Sequence, residues 1–140
     1  KEFKRKTGSA THFYLENILY NTETELKTAK MITTARYGNM FGEEVLAEVF
    51  KNSDIFIEKF SWVFSDKYHI QREFEIFEEI DNIKKTYRID RLLVDKENKK
   101  IWILDYKTGG KDEEQLENYK RILEGQFGNE YKVETMFLYV

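Results

Sequence analysis

Two acids and an amine in this sequence are spaced to do chemistry together. Asp90 stands in the run Tyr87-Arg88-Ile89-Asp90-Arg91-Leu92-Leu93-Val94, and Asp105 and Lys107 stand in Ile101-Trp102-Ile103-Leu104-Asp105-Tyr106-Lys107. Both runs are rich in β-branched, aromatic and other apolar residues. They are joined by the polar stretch Asp95-Lys96-Glu97-Asn98-Lys99-Lys100, which reads as an antiparallel hairpin with its turn centred on Glu97-Asn98. With that centre Leu92 faces Ile103, Val94 faces Ile101 and Asp90 faces Asp105. Opposed side chains on one sheet face have Cβ atoms roughly 4.5–5.5 Å apart, so two carboxylates placed this way repel unless something positive intervenes. Alternation puts Lys107 on the face of Asp105, one pleat further along. A carboxylate pair so placed calls for a cation, and with the amine it makes a site and not a surface.

The plain alternative is a pair of solvated acids at a strand end, with Lys107 in a surface ion pair worth about 0–1 kcal/mol. Against it stands the company the acids keep. Both strands are otherwise apolar on both faces, as central strands covered on two sides are.

The remaining elements must hold this hairpin. Lys1 to Lys6 is a basic lead-in, with Thr7 or Ser9 as N-cap of a helix over 10–19 that places His12 inward, on one face with Leu15, Glu16 and Leu19. A helix over Thr22–Tyr37 ends at Gly38, and another starts at Phe41 or Gly42, with Val45, Leu46, Val49 and Phe50 as its buried face. Asp54 to Phe60 adds a helical turn or two. Trp62-Val63-Phe64 reads as a short strand and Tyr68 to Phe77 as a longer one. On the latter Ile70, Phe74 and Ile76 share one face and Gln71, Glu73 and Glu75 the other, so Glu73 or Glu75 could reach the acids. His69 reads as a surface residue. After Lys107, Thr108-Gly109-Gly110 breaks the strand, and Asp112 caps a helix to about Glu124 whose apolar stripe is Leu116, Tyr119, Ile122 and Leu123. Gln115 and Tyr119 lie four apart on one face; Tyr119 alone is an ordinary core aromatic, and with Gln115 it reads as a phosphate or base contact. The apolar run Tyr131 to Val140 extends the sheet beside the hairpin. The expected fold is α/β, a central mixed sheet with the N-terminal helices on one side and the 112–124 helix on the other.

Composition narrows the classes. The 140 residues suit one domain, and neither a membrane-length apolar stretch of ~20 residues nor a charged-then-apolar leader occurs, so a soluble, cytoplasmic protein is expected. The absence of Cys removes disulfides, thiol nucleophiles and thiolate metal sites. A net charge of −3 is awkward for a lone nucleic-acid binder, since Lys and Arg on phosphates supply most non-specific affinity. The sequence does not open on Met and its last β-type run stops at Val140, which reads as a piece of a larger protein.

Asp90, Asp105-Tyr106-Lys107 and Gln115-Leu116-Glu117-Asn118-Tyr119 in this order resemble the PD-(D/E)XK nuclease superfamily, specifically its RecB/AddA-type nuclease domains, which read "IDRL", "DYKTG" and "QLxxY". Gly8 to Glu16 is similar to the family's "GxxxHxxLE" helix, and Arg72-Glu73 sits where the family has a strand with a Glu before the hairpin. The resemblance spans nearly the whole chain and implies a restriction-endonuclease-like fold and Mg²⁺-dependent hydrolysis of DNA phosphodiesters, with Mn²⁺ able to substitute. It implies His12, Asp90, Asp105 and the Tyr106 carbonyl as metal ligands, Lys107 as the residue that orients the nucleophile, Gln115 and Tyr119 as substrate contacts, and Glu73 as a further acid. It also implies an exonuclease of DNA repair and recombination, acting on single-stranded DNA fed by a helicase region of the same polypeptide or complex. Two other readings fit the same residues: a non-catalytic DNA-binding or scaffold module that kept the fold, and a stand-alone restriction- or phage-type nuclease.

Overall fold

The computed structural model describes residues 2–108 and 113–140, the side chains of 2–6 and 113 excepted. The expected strand break at Gly109-Gly110 and the cap at Asp112 lie outside the described residues. Among the described residues no helix is long and apolar enough to cross a membrane. The described chain packs as two compact units, one of residues 2–66 with 107–108 and 139–140, the other of 67–106 with 113–138.

The first unit is helical. Helix α1 runs Glu2–Glu16 and α2 runs Glu23–Lys59. Neither Thr7 nor Ser9 is an N-cap, because α1 starts well before them; Thr7 is buried inside it. The helix also stops short of Leu19, whose backbone N–H is taken by the Glu25 carboxylate at 2.8 Å. Thr22 caps α2, its hydroxyl accepting from the Glu25 N–H at 3.2 Å. Ala10, Leu46 and Val49 form a buried cluster flanked by Tyr37, Phe41 and Phe50. Tyr14 is fully buried and donates to Asp54 at 2.6 Å, and Lys30 holds the other Asp54 oxygen at 2.6 Å.

The helix end expected at Gly38 does not occur, while the new start expected at Phe41 or Gly42 appears as a kink at Gly42, where φ is 81° and ψ 168°. That conformation is open to glycine and strained for any L side chain. An added Cβ would meet nothing within 4 Å, so the cost of a substitution is confined to the backbone. Gly42→Ala is expected to lower unfolding stability by about 1–3 kcal/mol in urea titration. The 54–60 segment continues α2 without interruption. Trp62 to Phe64, expected as a strand, lies in a 3-10 turn over Ser61–Phe64 whose Val63 and Phe64 are buried. Three residues are too few to pair as a strand without a neighbour offering a free edge.

The second unit is built on a sheet of order β1-β2-β3-β4: β1 His69–Ile80, β2 Ile83–Asp95, β3 Lys100–Lys107 and β4 Lys132–Tyr139. Strands β1 and β2, and β2 and β3, pair antiparallel. β4 runs parallel to β3, because the bonds Lys132 N–H to Lys99 C=O (2.8 Å) and Val140 N–H to Lys107 C=O (3.0 Å) keep one offset along both strands. The sheet is therefore mixed. Helix α3, Glu113–Phe127, joins β3 to β4 and buries Leu116, Tyr119, Ile122 and Leu123 against Ile76, Ile89, Leu92, Ile101, Ile103 and Val133.

Candidate metal and nuclease site

The turn chemistry fixes the hairpin. Asp95 pairs with Lys100 across a four-residue turn, and its carboxylate accepts from the Asn98 backbone N–H (3.1 Å) and side-chain amide (2.9 Å). Those bonds, the side-chain one first, hold the Asp95 carboxyl below the usual carboxylate range. The register is Leu92 with Ile103 and Val94 with Ile101, as a Glu97-Asn98 centre requires. The position beyond the Arg91–Leu104 rung holds Asp90 and Asp105, and the Asp105 carboxyl acts on that of Asp90.

Two neighbouring carboxylates repel, and a proton on one relieves that. Asp105 is 7% exposed, and burial, followed by the bond to Asp105 and the Asp105 charge, pushes the Asp90 carboxyl up to about 8. The Tyr106 backbone N–H donates to Asp90 Oδ2 at 2.9 Å and opposes the shift without cancelling it. Glu73 adds a third negative charge that acts on Asp90. The arrangement favours one shared proton on the acid pair.

Glu73 arrives there by an irregularity that alternation does not signal. The β1–β2 ladder pairs Arg72 with Arg91 and Phe74 with Ile89 but leaves out Glu73 and Asp90 between them, and Glu73 has a positive φ of 50°. Side-chain alternation slips at this point: Ile89 and Leu92, an odd and an even position, join one cluster under α3. Phe74 and Ile76 belong to that cluster and Ile70 does not, so the shared face expected for these three does not hold. Arg88 stands 3.8 Å from Glu73 and 3.9 Å from Glu75 in loose, solvated ion pairs.

Two residues beside the acids carry weight that their sequence did not announce. Arg91 is completely buried, and its Nη1 donates to the Tyr106 hydroxyl at 3.4 Å. Burial pushes that hydroxyl up to about 12, against the pull of the Arg91 charge. Tyr106 is thus held by its hydroxyl while its N–H holds Asp90. Arg88, at the other flank, offers its backbone carbonyl to the Tyr119 hydroxyl at 3.0 Å. A charged residue inside an apolar strand run was the available signal for Arg91; for Arg88 it was the charge opposite Glu75.

Tyr119 is buried with its ring edge-on to Tyr87 at 5.7 Å, and Gln115, half-buried, lies one turn before it on α3. Tyr119→Phe is expected to cost about 1 kcal/mol in unfolding stability by removing the bond to Arg88 while keeping the packing. His12 lies half-buried on α1 of the first unit, and Lys107, half-buried, closes β3. The structure thus brings Asp90, Asp105, Tyr106 and Glu73 together in the second unit and assigns His12 and Lys107 to the first. Among the described residues no group of three or more His, Asp or Glu side chains is placed to hold a metal ion.

No family model matches the chain, and no curated protein matches it. The crystal structure of protein VC1899 from Vibrio cholerae is similar at a TM-score of 0.41 and 10% identity, covering 98% of this chain and 42% of that one. The chain thus spans less than half of that protein, and at this level the likeness fixes neither fold family nor function.

Proposed function

We propose that this chain is a nuclease domain of the PD-(D/E)XK type that hydrolyses DNA phosphodiesters with Mg²⁺, or with Mn²⁺ in its place. The observation that carries the reading is the Asp90–Asp105 pair: a half-buried and a buried carboxyl one position beyond the Arg91–Leu104 rung of the hairpin, the first pushed up to about 8. Such a pair fits a divalent cation by the chemistry of its donors. Mg²⁺ takes one or two carboxylates and completes its shell with water and substrate phosphate, so a closed protein cage is not required.

Asp90 and Asp105 would hold the ion, joined, by the family resemblance, by the Tyr106 carbonyl and His12. When bound, the ion supplies Lewis-acid polarisation of the phosphodiester and acidifies water. The chain's own groups do the rest. The Tyr106 N–H fixes the orientation of Asp90, and Arg91 fixes Tyr106 from its hydroxyl end. The ammonium of Lys107 orients the attacking water and offsets negative charge growing on the phosphate in the transition state. Glu73 raises the negative field at Asp90 and so the preference for a cation.

The substrate, a single DNA strand, is what the family resemblance implies. A net charge of −3 means that the domain alone would hold free DNA weakly, so the helicase region that the resemblance implies, in the same polypeptide or complex, would deliver the strand. The test is cleavage of a labelled single-stranded oligonucleotide and of a plasmid with Mg²⁺, Mn²⁺ or EDTA. Metal-dependent, EDTA-abolished cleavage supports the reading. A folded chain that binds no metal and cleaves neither substrate overturns it in favour of a scaffold module.

A further inference from the structure

The kink at Gly42 folds α2 back on itself. Lys30 and Asp54, twelve residues before and twelve after it, meet at 2.6 Å, whereas an unbroken helix would hold them about 36 Å apart. Helix α2 is therefore two antiparallel arms, 23–41 and 43–59. Between the arms, near the bend, lies an open groove of about 490 Å³. Buried Leu46 and half-buried Phe50 of the second arm give it an apolar floor, Thr34 and Gly38 form its first-arm wall, and Glu43 stands exposed at its rim.

A knob that suits this groove sits on the same arm. Met31 is 65% exposed, and its unbranched side chain adapts to irregular apolar gaps. It precedes Gly38 by seven residues, so it shares a stripe of the arm with Gly38 and lies about 10 Å away along the axis. Side chains lean toward a helix's N-terminus, so Met31 leans away from the groove of its own chain. A second copy can receive it. With a two-fold axis at the level of Thr34 and Ala35, the first arms run antiparallel and each Met31 enters the partner's groove over Gly38. Thr34 and Ala35 are small enough to let the arms approach at the axis.

Charge selects the same register. It carries Lys27, one turn before Met31, to the level of the partner's Gly42 and so beside the partner's Glu43. Lys27 and Glu43 are both exposed, and neither side chain is paired among the described residues. A register centred on the middle of the arm would instead set Lys27 against Tyr37 and leave the groove empty. We infer that this face of α2 is the surface through which two copies of the chain associate, Met31 of each filling the other's groove and Lys27 of each pairing with the other's Glu43. The inference does not depend on the nuclease reading. One helix face and one groove per copy bury less than the standard ~1,600 Å² interface, so the dimer is weak and reversible, with a dissociation constant above ~1 μM.

The test is sedimentation velocity of the whole chain from about 5 to about 500 μM at low salt, a range that brackets a weak dimer. A reversible shift from monomer to dimer is expected. Met31→Glu, at an exposed helix position where Glu is a good helix former, is expected to leave a folded monomer throughout. Lys27→Glu sets like charges against each other and should weaken the dimer several-fold, and adding Glu43→Lys should bring it back to within about twofold of the unsubstituted chain. A monomer at every concentration overturns the inference. So does a dimer that Met31→Glu leaves unchanged, or one whose loss in Lys27→Glu is not restored by Glu43→Lys.

Discussion

Asp105→Ala is expected to abolish Mg²⁺-dependent cleavage, a fall of at least ~10³-fold, in a chain that remains folded. Asp105 is nearly buried at the end of β3, and its carboxyl is what makes the Asp90 carboxyl a shared site instead of an isolated one. Without it the cation loses one of two anionic protein ligands, and Tyr106 orients a lone Asp90. Stability should hold or rise slightly in the absence of metal at pH 8, because one of two crowded acids is gone. Oligonucleotide cleavage and urea unfolding on the same preparation measure both halves. A folded Asp105→Ala chain with near-normal activity would remove the site from the hairpin.

Asp90 sets the second large effect, on stability against pH. Its carboxyl has an ordinary value of 3.8 and is pushed up to about 8 in the fold, with burial as the first cause. Between these values the folded chain binds a proton that the unfolded chain does not, so stability falls as pH rises through the window. The contribution is fully present below about pH 4 and fully lost above the folded value. Asp90→Asn, which keeps an acceptor for the Tyr106 N–H, should flatten that fall and gain on the order of 2 kcal/mol over the unsubstituted chain between pH 5 and pH 9. Mg²⁺ should do the same without substitution, by replacing the proton, and should raise Tm more at pH 9 than at pH 5. Parallel pH profiles for the two chains, or a Tm response to Mg²⁺ independent of pH, would show that the pair does not share a positive species.

The parts of the fold that were legible in the residues are those where local chemistry and long-range pairing agree. Asp95 and Asn98 close the turn by themselves, so the register of Leu92 on Ile103, and with it the approach of Asp90 to Asp105, follows from the turn. The stripe of Leu116, Tyr119, Ile122 and Leu123 placed α3 on the sheet for the same reason. Where two signals of one kind compete, the residues do not decide. Gly38 and Gly42 offer the same punctuation, and the kink falls at Gly42. Trp62-Val63-Phe64 is apolar enough for a strand but has its side chains buried from a 3-10 turn. The joint omission of Glu73 and Asp90 from the ladder is invisible to alternation, which assumes that no rung is skipped. Of the site itself, the acid pair was legible from the register. Its clamp, Arg91 on Tyr106 and Tyr106 on Asp90, was not, since a backbone N–H leaves no mark in a sequence.

Direct binding of Mn²⁺, followed by the loss of its free-ion electron paramagnetic resonance signal and by calorimetric competition with Mg²⁺, asks the central question with no substrate present. The acid pair predicts saturable Mn²⁺ binding at pH 8 that Mg²⁺ displaces, that weakens as pH falls and the shared proton returns, and that is lost in both Asp90→Asn and Asp105→Asn. Mn²⁺ binding that persists unchanged in both variants, or a folded unsubstituted chain that binds none, would contradict it.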